Sequence, residues 1–431
     1  MKVEIAAIEI TPAGADAEEQ QDVLEMVQPS PGFATVANFL VDIIHRQAFT
    51  TVIDFTPKAA SIKFLMDGVW QKGAPMERET ADFMLAVLKK IAGLNHAERR
   101  LRQEGKFNTL YRKVRQSFRV VCQGVPTGER VAIYVDWKRS IPETLEDLGM
   151  RESMRSGLSQ ILNNPLGGMV LVAGVPSEGY TSVWRGTLSA CDRLVRDFYV
   201  IEEVNEFEPE VINFFSITYD RSKGENAMTP ITQLMLKQPD FLAFNELPDG
   251  KTVDDVVRLS INQNKPMLVR APGRNVFDAL LRLMVLQPDA EALVNRLDAI
   301  VCMRLIRKLC EKCKISYTPA PAMLQKMGIP AGRIGKLYKP NVFQPGSVDD
   351  KEEPIQPCKY CQGVGFRDRT GLFELLVLND EIRQLILKKP RLDYLMAKVQ
   401  DFGHISMQQE GIVLVAKGIV SIDELQRVLK N

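Results

Sequence analysis

A buried-strand pattern followed by a glycine-bounded loop occupies residues 167–186 (GGMVLVAGVPSEGYTSVWRG). The loop matches the phosphate-binding pattern G-x-x-x-x-G-K-[ST] at every fixed position but one, since Tyr180 stands where the pattern has lysine. The matching residues are Gly174, Gly179 and Thr181, followed by Ser182. A strand that leads through such a loop into a helix is typical of a parallel sheet covered by helices on both faces. The stretch therefore predicts an α/β domain with this loop at the carboxyl end of a strand.

The loop alone leaves three interpretations open: a nucleotide site, the remains of one, or an ordinary strand-to-helix turn. In a working loop the backbone N–H groups cradle the phosphates, a lysine neutralises them and a hydroxyl binds Mg²⁺. Tyr180 carries no charge, and Glu178 adds a negative charge inside the loop. Because a charge-assisted hydrogen bond contributes about 1.5–3 kcal/mol, its loss weakens a nucleotide site roughly ten- to hundredfold.

Strand-like and helix-like patterns alternate on both sides of this loop, which predicts an α/β fold of several parts. The predicted parts are a flexible N-terminal arm with a short helix near 18–27 (1–32), an N-terminal α/β domain (33–145), the loop-bearing α/β domain (146–303), a cysteine-bearing subdomain (304–371) and a helical subdomain (372–431). The last helix is predicted to begin with a capping box, Ser421-Ile-Asp-Glu424.

Four of the seven cysteines form two C-x-x-C pairs, Cys310/Cys313 and Cys358/Cys361. Two such turns that face each other make a tetrahedral four-sulfur site, which suits a structural Zn²⁺ because the coordination shell is closed. The alternative is two unrelated redox or buried pairs. The remaining cysteines are expected to be small buried residues; they are Cys122, Cys191 and Cys302.

Charge and hydropathy argue against some classes of binding partner and against a membrane-spanning segment. The net charge is +1, which provides no general attraction to nucleic acid or to an anionic membrane. Apolar runs such as 166–175 are about half the length of a membrane-spanning helix. The N-terminus lacks the basic start and apolar core of a signal peptide, so a cytoplasmic location is expected.

The order of several motifs resembles the assembly ATPases of type II secretion and type IV pili, the GspE/PilB-like traffic ATPases. The resemblance covers about residues 33–431, and its C-terminal motifs are the most specific. The motifs include MDGVW (66–70), AGLNHAERRLRQEGKF (92–107), IEEVNEF (201–207), LKQPDFLAFNELPD (236–249), CKYCQGVGFRDRTGLFELL (358–376) and SIDELQRVL (421–429).

This resemblance implies a RecA-like P-loop domain, with nucleotide bound between it and the N-terminal domain. It also implies a structural zinc at the four cysteines and hexameric rings that drive pilin or pseudopilin assembly. The expected location is the cytoplasm, with peripheral attachment to the inner face of the membrane through an inner-membrane platform and other pilus or secretion components.

The resemblance assigns roles at individual positions. Those that correspond to nucleotide-binding residues are Gly174, Gly179, Tyr180, Thr181, Ser182, Glu203 and Arg119. Glu246 aligns with the family's glutamate near the attacking water, and Glu202, Glu203 and Glu206 remain as an acidic box. The alternatives are a solvated strand end for the acidic box and an ordinary surface acid for Glu246.

Several charged positions of the family are replaced in this sequence. Besides Tyr180 at the lysine position, Leu65 and Tyr134 stand where two further arginines are expected, and the segment 264–275 (NKPMLVRAPGRN) replaces a histidine-bearing box. The three histidines all lie outside the predicted nucleotide block, at His45, His96 and His404. Since the loss of one charge-stabilising donor lowers a rate by ~10²–10³, the combination predicts little hydrolysis.

The leading hypothesis is thus a catalytically degenerate family member that acts as a scaffold or regulator, in a homo-oligomer or a mixed ring with an active paralogue. The alternative is a weak ATPase that binds Mg-ATP, with Glu246 as the base and Mg²⁺ on Thr181. A third hypothesis, a zinc-ribbon binder of nucleic acid, is disfavoured because the net charge is near zero and no basic aromatic face is evident.

Overall fold

The computed structural model describes residues 7–137, 142–194, 196–205, 211–286, 289–328, 334–343 and 356–430. The chain forms two compact units. The first comprises Met1–Ser140 with Phe343–Gly363, and the second comprises Ile141–Val342 with Val364–Asn431.

The first unit is built on an antiparallel sheet, with the strand order β1-β6-β7-β8-β2-β3-β4 and β5 paired to β3. Its elements are β1 (Glu9–Thr11), α1 (Ala17–Val27), α2 (Pro31–Arg46), β2 (Thr50–Phe55), β3 (Ala59–Met66), β4 (Val69–Lys72), β5 (Met76–Glu77), α3 (Arg78–Ile91), β6 (Gln103–Tyr111), β7 (Val114–Val125) and β8 (Gly128–Asp136).

Side chains alternate between the two faces of this sheet, as the period-two sequence pattern predicts. In β3, for example, Ile62 and Phe64 are buried while Ser61 and Lys63 are exposed. Helices α2 and α3 pack against each other. Their apolar faces are buried in the core of the unit, as are Ile62 and Phe64 of the sheet.

The described part of the N-terminal segment contains a short strand and a helix. Within the predicted flexible arm, β1 pairs with β6 and α1 packs near α3. Ile10 and Val27 are buried. The predicted short helix near 18–27 is confirmed as α1, and the burial of two apolar side chains against the sheet and helices is a long-range effect that local polarity does not reveal.

The second unit contains a seven-stranded sheet, with the order β11-β10-β12-β13-β9-β14-β17. Its elements are α4 (Glu152–Leu162), β9 (Met169–Gly174), α5 (Tyr180–Ser189), β10 (Phe198–Glu203), β11 (Phe214–Tyr219), α6 (Ile231–Met235), β12 (Phe241–Phe244), α7 (Gly250–Gln263), β13 (Met267–Pro272), α8 (Val276–Leu286), α9 (Ala290–Arg296), β14 (Leu297–Leu309), β15 (Ile315–Tyr317), α10 (Pro321–Lys326), β16 (Leu337–Lys339), β17 (Phe366–Val377), α11 (Asp380–Lys388), α12 (Leu392–Lys398), α13 (Met407–Ala416) and α14 (Ile422–Lys430).

The strands of this sheet are parallel except β17, which pairs antiparallel with β14. Both faces are covered. Leu171 and Ala173 of β9 enter one apolar core, while Val170 and Val172 enter the other. The predicted α/β fold with a parallel sheet is therefore confirmed, and the continuous apolar run of β9 reflects burial on both sides.

The last helix begins as predicted, but only half of its capping box forms. The backbone N–H of Glu424 donates to Ser421 Oγ over 3.3 Å. The Glu424 carboxylate does not return to the cap; it accepts hydrogen bonds from Arg307 on β14 and Arg427 on α14 instead. A buried guanidinium on the neighbouring strand therefore outcompetes the local capping interaction.

Candidate functional site

The glycine-bounded loop connects β9 to α5 at the carboxyl end of the parallel strands, as predicted. Its backbone is held from two sides. The carbonyl of Gly174 accepts a hydrogen bond from Gly273 N, and the carbonyl of Glu178 accepts one from Leu305 N, each at 3.0 Å. The loop is thus fixed to β14 and to the end of β13.

Gly179 is required by the shape of this loop. Its φ is +96°, and a Cβ at this position would lie 2.5 Å from Met303 Cε and 2.8 Å from Leu305 Cγ. Both side chains belong to β14, so the first turn of α5 lies directly against that strand.

We expect Gly179→Ala to lower the free energy of unfolding by about 1–3 kcal/mol, because the substitution combines backbone strain with a clash. Gly224→Ala is the matched control, since Gly224 has a φ of +79° but open space around its Cβ position. Thermal denaturation of both variants should show the larger loss for Gly179→Ala. Equal losses would mean that the close packing against β14 contributes nothing.

Tyr180 occupies the first position of α5, where a phosphate-binding loop has its lysine. The guanidinium carbon of Arg270 lies 3.8 Å from the centroid of the Tyr180 ring. Arg270 is only 6% exposed, and its Nη1 donates to Asn245 Oδ1 over 2.6 Å. A cation–π contact therefore brings a buried positive charge from β13 to the loop.

Arg270 was not among the residues predicted for the site. The loop sequence predicts a site without positive charge, whereas the structure places the Arg270 guanidinium beside the loop. A signal was present, because an arginine inside the otherwise apolar strand Met267–Pro272 is unusual for a buried parallel strand.

The negative charge of Glu178 is paired with an arginine. The Oε2 atom of Glu178 accepts a hydrogen bond from Arg304 Nε of β14 over 2.8 Å and forms an ion pair with Nη2 of the same guanidinium at 2.7 Å. The Arg304 side chain is 4% exposed and also donates to the carbonyl of Val428. The expectation of an uncompensated negative charge is thus corrected, because β14 supplies a partner that the local sequence does not contain.

Glu246 follows β12 and is half-buried. It accepts a hydrogen bond from the Tyr219 hydroxyl and forms an ion pair with Arg221. Glu246 is therefore more than an isolated surface acid, although the contacts that hold it come from β11 and the turn after it rather than from the loop.

The acidic box is buried where the structure describes it. Glu202 and Glu203 at the end of β10 are 6% and 4% exposed. Glu202 accepts from Ser216 Oγ, and Glu203 accepts from the backbone and side-chain N–H groups of Asn205. These contacts contradict a solvated strand end for both residues. Glu206 lies outside the described residues.

A cavity of about 1080 Å³ opens at this end of the sheet. Thr181, Glu246 and Arg270 line it together with Tyr180, whereas Ser182 is not among its lining residues. The further lining residues are mainly apolar and include Pro176, Leu247, Pro248, Leu281, Val285 and Leu286. The cavity thus combines a small polar cluster with a largely apolar wall.

The four paired cysteines come together. Their Sγ atoms all lie within 4.8 Å of one another, with Cys310 and Cys361 buried. A tight turn forms the first pair, since the carbonyl of Cys310 accepts from the N–H groups of Cys313 and Lys314. The alternative of two unrelated pairs is therefore wrong. Four sulfur donors at this spacing could hold a metal ion.

The other three cysteines are buried away from this cluster, as predicted. Burial raises the pKa of Cys122 and of Cys191 to about 12, and it raises that of Cys302 well above its usual value. These thiols therefore stay protonated near neutral pH and react poorly.

Comparison with known proteins identifies the family. A family model described as type II/IV secretion system protein matches residues 26–427. The chain belongs to this family. The type II secretion system protein E of Dickeya dadantii is 26% identical over 414 residues, which cover 96% of this chain and 78% of that protein. The type IV pilus assembly ATPase PilB of Pseudomonas aeruginosa is 24% identical over 424 residues, which cover 97% of this chain and 71% of that protein.

The fold of this type II/IV secretion system protein is also found in a solved structure. The X-ray structure of the Legionella pneumophila ATPase DotB matches it with a TM-score of 0.53 at 13% identity, over 91% of this chain and 94% of that chain. At this identity the likeness concerns the fold alone. Among the described helices of the present family member, none is long and apolar enough to cross a bilayer.

Three positions that the resemblance associates with arginines lie in one row across the sheet of the first unit. Leu65 is paired with Thr50, Thr50 with Tyr134, and Tyr134 with Arg119. The Arg119 guanidinium lies 4.2 Å from the centroid of the Tyr134 ring and donates to Glu104 over 3.2 Å. This hydrogen bond lowers the pKa of Glu104. Arg119 is therefore held on its own sheet by an aromatic ring and a carboxylate.

Proposed function

We propose that this chain is a catalytically degenerate member of the type II/IV secretion system protein family. It acts as a scaffold or regulator in an assembly machine for secretion or pili, without substantial ATP hydrolysis. The observation that carries the proposal is the contact between Tyr180 and Arg270. At the position of the phosphate-binding lysine, an aromatic side chain packs on a buried guanidinium, so no flexible ammonium group can follow the phosphates through a reaction.

The contacts of Glu246 support the same proposal. A catalytic base must be able to accept a proton from the attacking water. Here the Glu246 carboxylate already accepts a hydrogen bond from the Tyr219 hydroxyl and forms an ion pair with Arg221. These contacts stabilise the ionised carboxylate and compete with a water molecule for its oxygen atoms.

The missing charges add to this argument. The segment 264–275 contains no histidine, and Leu65 and Tyr134 occupy positions expected to hold arginines. Removal of one transition-state donor costs ~10²–10³ in rate, and the losses combine in a non-additive way. Arg270 replaces only one of these missing positive charges, the one at the position of the lysine.

We propose that the cysteine cluster holds one structural Zn²⁺. The ligands would be Cys310, Cys313, Cys358 and Cys361, and the bound ion would fix the two C-x-x-C turns to each other. Four thiolates close the coordination shell, which leaves no position for a substrate.

The proposed partners follow from the family. The relatives described above are named for the type II secretion system and for type IV pilus assembly. We propose a cytoplasmic protein that joins a homo-oligomeric ring or a mixed ring with an active paralogue, and that reaches the inner-membrane platform through its partners. We propose the boundaries 33–145, 146–303, 304–371 and 372–431 as its functional subdivisions.

A second candidate function is weak ATP-dependent activity. It is favoured by the cavity, in which Arg270 and Thr181 lie beside the intact backbone of the loop. In this case Arg270 would neutralise phosphate oxygens and Thr181 would bind Mg²⁺.

Purified metal-replete protein is expected to release no phosphate from Mg-ATP above background, because the site lacks the lysine and histidines of the family. Phosphate release and calorimetric binding should be measured on the same preparation. The control is Glu246→Gln. Turnover that disappears in this variant would establish the second candidate, while turnover that persists would come from a contaminant.

Tyr180→Lys is expected to strengthen Mg-ATP binding roughly ten- to hundredfold, because it restores one charge-assisted hydrogen bond on the existing backbone cradle. Calorimetry measures the change, with Tyr180→Phe as the matched control that keeps the ring. Glu178 should be left unchanged, since its removal would strand the buried Arg304 without its carboxylate. No gain in Tyr180→Lys would mean that the loop no longer accommodates phosphates.

A further inference from the structure

The second unit contains another cavity, of about 600 Å³, next to the C-terminal helices. Its walls come from α8, β14, β17, α12, α13 and α14. Among the described lining residues, only Asp278 borders both this cavity and the one at the loop. It is therefore a separate site, which we call the C-terminal cavity.

His404 lines the C-terminal cavity, and one of its ring nitrogens has no hydrogen-bond partner among the described residues. Its side chain is 3% exposed, and its Nε2 lies 3.0 Å from Glu374 Oε1. The other carboxylate oxygen of Glu374 accepts from Val276 N over 3.1 Å. Because both oxygens act as acceptors, Nε2 is the nitrogen that carries a proton towards Glu374, and in the tautomer with this single proton Nδ1 is an acceptor. Within the described part of the chain Nδ1 is buried and has no hydrogen-bond partner.

An unpaired Nδ1 raises the free energy of the folded protein, because a buried polar atom loses its hydrogen bonds to water without gaining others. A bound ligand or water molecule would supply the missing hydrogen bond. Rotation of the His404 ring, which would change the surroundings of Nδ1, is hindered by two contacts. The ring is held by Glu374 on one side and by an edge contact with Phe277, at a centroid distance of 5.9 Å, on the other. Nδ1 is thus a buried, unpaired atom held in place within a side chain that lines the cavity.

The acidic side chains around the C-terminal cavity are already paired. Asp278 bonds to Arg282 over 3.2 Å, and Asp393 bonds to Arg391 over 2.8 Å. Glu374 is occupied by His404 and a backbone N–H, as described above. Among the described lining residues, no carboxylate is therefore left uncompensated to repel an anion.

The cationic side chains are not all paired. Arg304 is engaged by Glu178 and by a backbone carbonyl. Arg274 and Lys430 also line the cavity, and within the described residues neither has an ion-pair partner. Arg274 follows β13 and Lys430 ends α14, so the fold brings two cations without an ion-pair partner among the described residues to one opening.

We propose that the C-terminal cavity binds a small phosphate monoester with neighbouring hydroxyl groups, such as a sugar phosphate or a nucleoside monophosphate. The phosphate, which carries about −1.5 to −2 charges near neutral pH, pairs with Arg274 and Lys430. A hydroxyl group donates to His404 Nδ1. The apolar side chains of Leu392 and Met396 contact the body of the ligand, and the volume fits a molecule of this size.

Calorimetry on the full-length, metal-replete protein tests this assignment with ribose 5-phosphate as the first probe. We expect a Kd of about 1 mM or tighter. Arg274→Gln and Lys430→Gln are each expected to weaken binding roughly tenfold, since each removes one charge-assisted hydrogen bond. Lys398→Gln is the matched control, because Lys398 is on α12 but does not line the cavity; it should leave the affinity unchanged.

His404→Gln separates the proposed contact from a structural role. The glutamine amide can still donate to Glu374, but it provides no acceptor at the position of Nδ1. Binding of ribose 5-phosphate should weaken while the melting temperature stays near that of the parent protein. Inorganic phosphate and ribose, tested alone, should each bind more weakly than ribose 5-phosphate.

Adenosine monophosphate distinguishes the two ligand sources. Binding of both probes assigns the site to sugar phosphates in general, and binding of the nucleotide alone assigns it to nucleoside monophosphates. Either result supports the proposal if Arg274→Gln and His404→Gln weaken the binding of the probe. The proposal is overturned if no probe binds at several millimolar, or if these variants bind as well as the parent protein.

Discussion

Cys361→Ser is expected to release the metal ion and to destabilise the region around the cysteine cluster. The four Sγ atoms lie within 4.8 Å of one another, so removal of one thiolate breaks a closed set of donors. Structural Zn²⁺ in small domains is bound with about 10–16 kcal/mol, and this binding energy also supports the fold. Metal analysis should therefore fall from about one ion per chain to nearly none. Thermal denaturation should show an earlier transition.

Cys122→Ala is the control, because Cys122 is equally a cysteine but lies buried away from the cluster. Its metal content should equal that of the parent protein. Alkylation gives an independent readout: chelation should expose the four cluster thiols, while the buried Cys122 and Cys191, with pKa values near 12, stay unmodified in the folded chain. Full metal retention in Cys361→Ser would disprove a four-sulfur site.

Glu424→Gln is expected to lower the free energy of unfolding by about 3–5 kcal/mol at neutral pH, because it breaks a buried ion pair from one side. The carboxylate of Glu424 is 1% exposed and binds Arg307 and Arg427 at 2.6–3.0 Å. The substitution leaves Arg307, itself 9% exposed, without a counter-charge. It also removes an ion pair that joins α14 to β14.

The effect of Glu424→Gln should depend on pH in a defined direction. Burial alone would raise the pKa of Glu424, but hydrogen bonds from Arg427 and Arg307 outweigh it and lower the pKa to about 2. Because the folded pKa lies below the ordinary value of 4.5, the stabilisation is complete above about pH 4.5 and is lost as the pH falls towards 2. Denaturation of both proteins at several pH values should show the difference shrinking over this range.

Glu381→Gln serves as the control for this series, since Glu381 is an exposed acid in the first turn of α11. Its effect should stay within about 0.5 kcal/mol. If Glu424→Gln behaved like Glu381→Gln, the ion pair would contribute no net stability and the anchoring of α14 would rest on its apolar face alone.

Local pattern was sufficient to predict many elements. The segment TTVIDF predicts a short strand and the segment VFDALLRLMVL predicts a helix, and the structure has these elements at Thr50–Phe55 and Val276–Leu286. The parallel sheet and the position of the glycine-bounded loop also follow from local sequence. In each case the signal is contained within one element.

Elements defined by long-range pairing were missed. The long strands β14 and β17 pair with each other although residues 310–365 separate them, and neither is predicted as a strand from its local pattern. Without β14, the roles of Arg304 and Arg307 could not be inferred. The same is true of His404, which lies far from Glu374 in sequence and reaches it only through the packing of the C-terminal helices.

The sequence by itself determined the α/β class, the family resemblance and the pairing of the four cysteines, because these depend on spacing along the chain. Only the tertiary structure decided the electrostatics of the loop. Glu178 is neutralised by Arg304, and Tyr180 packs on Arg270. Charges at separate positions in the sequence become partners when parallel strands bring their ends to one edge of a sheet. Their interaction energy depends on distance and burial, which the order of residues alone does not contain.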